Sequence, residues 1–205
     1  MVRRIVVTVL CVLTLGAPAV VTAGQPNSVD PLLMVPPLNA TFTWSCFRTG
    51  GGIVCDGERL ITWENEEYGI SCGDRPIIGT GYEYRTQRRF GDANGLALRT
   101  IQHFNGRDTI SLQPGGSGPT IFGGGTFKED FIYGIPGDLS TRTDRYSGVD
   151  VWYRAPGYGL VFHDTGTKMF DIDGNVLMLR GQHPVVTDFE ATFQELCVAF
   201  EAIGA

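Results

Sequence analysis

The sequence has few of the residues on which enzymatic chemistry usually rests. It holds three histidines, His103, His163 and His183, and no pair of them has a metal-ligand spacing. No Gly-x-Ser-x-Gly elbow is present, and Ser117 in "PGGSGPT" has no base in its sequence context. The glycine run "FGGGTF" at 122–127 lacks the lysine and the helix of a phosphate loop. Cys-x-x-Cys spacing is missing too, so no metal and no cofactor are expected. Glu64, Glu66 and Glu67 in "WENEEYG" cluster beside a turn, where charges are solvated. Lysine and arginine form no stripe, and the formal charge of −6 repels phosphate backbones, which excludes nucleic acid as a partner.

What is present begins with an export signal. Arg3 and Arg4 precede the run "IVVTVLCVLTLGAPAVV", and small residues lead to Ala23, the pattern of a signal peptide over 1–23. Gly16 and Pro18 interrupt the run, which argues against a membrane anchor. Cleavage removes two arginines and no acids, taking the formal charge from −6 to −8. The expected product is secreted, without stable membrane insertion. Residues 24–38 hold four prolines and read as an extended leader, followed by a single domain over 39–205. Cys46, Cys55, Cys72 and Cys197 survive cleavage, an even number that implies two disulfides with three connectivities open.

From Thr41 onward, short alternating runs are punctuated by glycine turns. The longest, "IIGTGYEYRTQRRF", places Ile78, Thr80, Tyr82, Tyr84, Thr86, Arg88 and Phe90 on one face and Gly79, Gly81, Glu83, Arg85, Gln87 and Arg89 on the other. "RRFGDANGLALR" and "KMFDIDGNVLMLR" read as hairpins with type I′ turns at Asn94-Gly95 and Asp173-Gly174. A third Asn-Gly, Asn105-Gly106, separates "RTIQHF" from "RDTISL". The last segment changes period: Phe189, Phe193, Leu196, Cys197, Phe200 and Ile203 form one stripe of a helix over 188–203. Thr187-x-x-Glu190 supplies a capping box for it, and Gly204 a stop. The fold expected is all-β, an antiparallel barrel of about eight strands with a C-terminal α-helix; a two-sheet sandwich gives the same strand pattern.

Asp171, Asp173 and Asn175 around Gly174 also suggest a calcium loop. Counted from Asp171, however, position 12 is Gln182 and the glycine falls at position 4, so a turn is expected instead. The run "HDTGTKMFDIDGNVLMLRGQHP", the "LC" at Leu196-Cys197, and the earlier "CGDRPI" and "RRFGDANGLALRTIQHFNG" resemble a group of small exported bacterial proteins, largely actinobacterial, over residues 70–200. That resemblance implies a barrel-like all-β fold without an assigned activity. It also implies a first-to-last pairing of Cys72 with Cys197. About 30 residues before Cys72, including Cys46 and Cys55, depart from the group's pattern. Those two cysteines flank "FRTGGGIV", whose glycines permit a tight reversal, so they are expected to pair locally.

Candidate chemistry is sparse. His163 could meet His103 or Glu83 across a barrel interior as acid or base, while neighbouring Asp164 points to the opposite face. His183 precedes Pro184 and reads as fixing the exit from the last strand. Tyr82, Tyr84, Trp152 and Tyr153 could line a cavity for a small apolar molecule. Three functions follow: a binding protein holding such a molecule in or at the mouth of the barrel; a barrel isomerase or cyclase of the allene oxide cyclase or dirigent type; or a cell-envelope interaction protein without a small ligand.

Overall fold

The structure, a computed structural model, describes residues 27–205; the run read as a signal peptide, with Cys11, lies outside the described residues. Eight strands pair consecutively in one antiparallel sheet: β1 (Thr43–Thr49), β2 (Gly52–Cys72), β3 (Arg75–Gly91), β4 (Ala97–Ser111), β5 (Thr120–Tyr133), β6 (Arg142–Ala155), β7 (Gly159–Asp171) and β8 (Val176–Gln182). The sheet is not closed: β1 and β8 are its two edges. A short helix α1 (Pro184–Thr187) leads into α2 (Phe189–Ala202). Among the described residues no helix is long and apolar enough to cross a membrane.

Two apparent breaks in the alternating runs are not breaks. Asn105-Gly106 lies within β4, and β7 runs through Gly166. Nor are the two hairpins type I′. Gly95 (φ 88°) and Gly174 (φ 83°) are left-handed, but the residue before each is not. In both, the glycine N–H donates to an aspartate carbonyl three residues back, Asp92 or Asp171, at 3.1 Å. The aspartate carboxylate then accepts two further backbone N–H groups, which favours an ordinary turn followed by a left-handed glycine bulge.

One face of the sheet, here called inner, packs on α2. Ile77, Ile110, Ile121, Tyr153, Phe162, Leu196 and Phe200 form that core. Each fully buried aliphatic chain there contributes about 1.5–3 kcal/mol. The helix begins differently from the sequence reading: Asp188, not Thr187, is its N-cap and accepts the Ala191 N–H at 3.1 Å. Phe189, placed on the buried stripe by periodicity, is 55% exposed. Both disulfides pair as expected, Cys46–Cys55 and Cys72–Cys197, the second fastening β2 to α2.

The segment before β1, read as an extended leader, is held against the sheet from residue 28 onward. Val29 N–H donates to Cys46 O, Val35 and Leu96 form a bridge, and Met34 is buried with Ile53 and the Cys46–Cys55 pair. Aromatic rings on the inner face lie over glycines. A Cβ at Gly57 would fall 2.6 Å from the Trp44 ring, one at Gly79 2.3 Å from Tyr68, and one at Gly123 2.2 Å from Tyr153.

Candidate functional site

Register assigns every side chain to a face. Arg59, Glu83, Arg85, Gln87, Gln102 and Glu129 meet on the inner face of β2–β5, and they are ions and amides rather than apolar groups. Arg59 and Arg85 both reach Glu83, the latter at 3.1 Å, and Arg85 lies 3.9 Å from Glu129. Gln102 bridges Gln87 to Glu129. Further along, Arg142 pairs with Asp144 at 2.6 Å, and Lys168 is shared between Asp150 and Asp164. Arg59, Arg85 and Arg142 stack on Phe42, Phe104 and Phe131. Burial raises the Glu129 carboxyl above its usual range against the lowering influence of Arg85, and pushes the Tyr146 phenol up to about 12. Charges persist here because each has a partner. The interior is polar where the sequence reading expected an apolar aromatic lining.

The acid–base candidates do not assemble. Glu83 is committed to two arginines on the inner face. His103 is exposed on the outer face, and His163 sits opposite Trp152 there, three strands away. His183 is the buried histidine: its Nδ1 is 2.9 Å from Asp164 Oδ1 and its Nε2 is 3.1 Å from the Arg180 carbonyl. With both ring nitrogens engaged, it has none to offer a substrate, so the pair ties β7 to the chain leaving β8.

Tyr153, one of the four aromatic candidates, also belongs inside. Its hydroxyl donates to Asp108 Oδ2 at 2.9 Å, beside a Tyr68 hydroxyl at 2.8 Å on the same oxygen, and Trp63 Nε1 donates to Tyr68. Asp108 carried no signal in the sequence beyond its place in the alternation Phe104, Gly106, Asp108, Ile110, whose last member marks the inner face.

Tyr82, Tyr84 and Trp152 are on the outer face instead, along three adjoining depressions. A groove of 630 Å³ lies among Ser45, Asp56, Arg88, Phe90 and Ile101. It shares Thr86 and His103 with a 380 Å³ depression that adds Tyr84, Asn105, Thr126 and Lys128. Beyond Tyr84, a 410 Å³ depression is lined by Tyr82, Arg107, Thr109, Phe122 and Trp152. Tyr82, Tyr84 and Phe122 are 40–48% exposed, and the Arg107 guanidinium lies 5.5 Å from the Trp152 ring centroid. From Thr80 to Phe90 the trough follows β3 for about 33 Å. Among its charges, Arg88 grips Asp56 through two bonds, and Lys128 lies 3.8 Å from Asp130, whose carboxyl Arg99 holds below its usual range.

These features define an open, disulfide-tied antiparallel meander with an ion-paired inner face and an aromatic trough outside. No family model matches the chain, and no curated protein or solved structure does either.

Proposed function

We propose that this is an exported cell-envelope or extracellular protein that binds an extended glycan strand along the outer trough. The observation that carries the reading is the file of rings, Tyr82, Tyr84 and Phe122 exposed and Trp152 half-buried, set among Thr86, Asn105, Thr109 and Thr126. Aromatic faces stack on the C–H faces of sugar rings, and the hydroxyls and amide between them suit a ligand dense in donors and acceptors. Openness favours a polymer passing through over a small molecule enclosed, since small-ligand sites bury most of their ligand. An exposed aromatic surface of this extent also needs a use. The two disulfides and the signal-like N-terminal run support export. Arg88, Arg99, Arg107 and Lys128 on the outer face, each costly at a bilayer midplane, argue against that face meeting lipid.

Affinity electrophoresis through gels containing soluble β-glucan, mannan, xylan or hyaluronan tests the reading. The wild type should be retarded by at least one polymer, and Tyr82→Ala and Trp152→Ala should each relieve the retardation. Unretarded migration in all four gels, or retardation unchanged in both variants, would overturn it.

A further inference from the structure

A second site lies on the opposite face. Where β5 and β6 bulge past each other, a cavity of 180 Å³ is bordered by Trp63, Phe104, Asp108, Asp150 and Tyr153, with Gly106 and Gly125 opposite one another as its floor. That volume equals about six water molecules of the bulk liquid.

The carboxylate of Asp108 is set into this cavity without a cation. Both phenols, Tyr68 and Tyr153, donate to Oδ2, while Oδ1 is buried and has no hydrogen-bond partner among the described residues. No lysine or arginine forms an ion pair with it there. Burial raises the carboxyl above its usual range even against the two phenol bonds. Across the cavity, Asp150 has Lys168 as partner, but Lys168 also serves Asp164, so two carboxylates share one ammonium and none of it reaches Asp108. Arg107 borders the cavity too, with its guanidinium bonded to the Gly106 carbonyl at 3.0 Å and placed by the Trp152 ring. Every other buried carboxylate of the inner face has a cation; Asp108 has rings.

We infer that this cavity binds a small organic amine in its protonated form, its N–H donating to Asp108 Oδ1 and its carbons lying against Trp63, Phe104 and Tyr153. An unpartnered buried acceptor calls for a donor, the surplus of carboxylates calls for positive charge, and ring faces attract a cation. An anion is repelled by Asp108 and Asp150. A metal ion would want several oxygen ligands, and among the described residues no group of three or more His, Cys, Asp or Glu is placed to hold one. This site opens on the other face of the sheet from the outer trough, although Arg107 and Asp108 border both, and it does not depend on the glycan reading.

The test is an NMR titration of the whole mature protein with propylammonium, tetramethylammonium and neutral 1-propanol. Propylammonium should bind at one site, with nuclear Overhauser contacts from its methylene protons to the Trp63 and Phe104 rings. Tetramethylammonium, which has no N–H, and 1-propanol, which has no charge, should each bind about tenfold more weakly or worse. Asp108→Asn keeps an oxygen for both phenols and so keeps the fold, yet should weaken propylammonium by about tenfold or more. Equal binding of 1-propanol, unchanged affinity in Asp108→Asn, or contacts confined to Tyr82 and Trp152 of the outer trough would each overturn the inference. Absence of any propylammonium binding to the wild type would do the same.

Discussion

Asp171 and Asn175 close the last hairpin on each other. Asp171 Oδ2 accepts from the Asn175 side-chain amide at 2.8 Å, while its Oδ1 accepts the backbone N–H groups of Asp173 and Asn175 at 3.0 and 2.8 Å. Both carboxylate oxygens are spent inside the turn, which leaves a calcium ion nothing to claim from this residue. That carboxylate is the clasp of the turn.

Asp171→Ala should therefore lower the melting temperature at neutral pH. The bonds from Asn175 and the neighbouring backbone hold the Asp171 carboxyl below its usual range in the fold. A depressed folded-state pKa gives stability that is present above the unfolded pKa and disappears as pH falls through the folded one. The gap in melting temperature between wild type and variant should narrow on acidification below the ordinary aspartate range. A gap that is constant from pH 7 to pH 2, or that depends on added calcium, would contradict this assignment.

The two matching hairpins should respond unequally to the same substitution. Gly174→Val meets no atom within 4 Å, so its cost is backbone strain at φ 83°, about 1–3 kcal/mol. At Gly95 a Cβ would also stand 2.1 Å from the Leu33 carbonyl oxygen, because the segment before β1 lies across that turn. Gly95→Val should cost more than Gly174→Val in urea unfolding, and removal of residues 24–38 should bring the two closer.

The disulfides close loops of different size, with sequence separations of 9 and 125. In the chain-entropy model the short loop is worth about 2–3 kcal/mol and the long one about 4–5 kcal/mol. Cys72→Ser/Cys197→Ser should be the more destabilised double variant by denaturant titration. It should also expose α2 to early proteolysis, since that bond ties the helix to β2.

Buried and exposed ion pairs should separate clearly. Lys168→Met leaves Asp150 and Asp164 facing each other without a cation, and Asp164 is fully buried, so a loss of about 3–5 kcal/mol is expected. Arg88→Ala removes a pair with Asp56 that is 56% and 40% exposed, and should cost less than about 1 kcal/mol. Chemical denaturation of both variants at one ionic strength compares them directly.

Strand number, the C-terminal helix and the presence of two disulfides were legible in the sequence, since alternation, helical period and an even cysteine count are local signals; the Cys72–Cys197 pairing was only what the resemblance implied. The sense of the faces was not. On β3 the alternation is as read, yet Tyr82, Tyr84 and Thr86 face out while Glu83, Arg85 and Gln87 face in. Hydrophobicity alone gives the opposite assignment. The charged face is buried because its partners come from other strands, Arg59 standing 24 residues from Glu83 and Glu129 44 residues from Arg85, and no window along one strand contains them. Asp108 was invisible for the same reason: its phenol donors stand 40 and 45 residues away. Turn type failed more locally, because Asn-Gly and Asp-Gly suit both turn classes and only the preceding aspartate tips the choice.

The rings that rest on glycines have a bearing on how the chain finds one pairing. Trp44 sits on Gly57 directly across β1 and β2, Tyr68 on Gly79 between β2 and β3, and Tyr153 on Gly123 directly across β6 and β5. A slip of one residue turns the faces over and is rejected by burial. A slip of two preserves every face and would otherwise pass, but it slides Trp44 from Gly57 onto Cys55 or Arg59, and in one direction it slides Tyr68 onto Ile77 and Tyr153 onto Ile121. The glycines thus work like the wards of a lock: the pairing of β1 with β2 admits a single register, and two further strand pairs are closed to a slip in one direction, in a sheet whose long strands would otherwise have several to choose from.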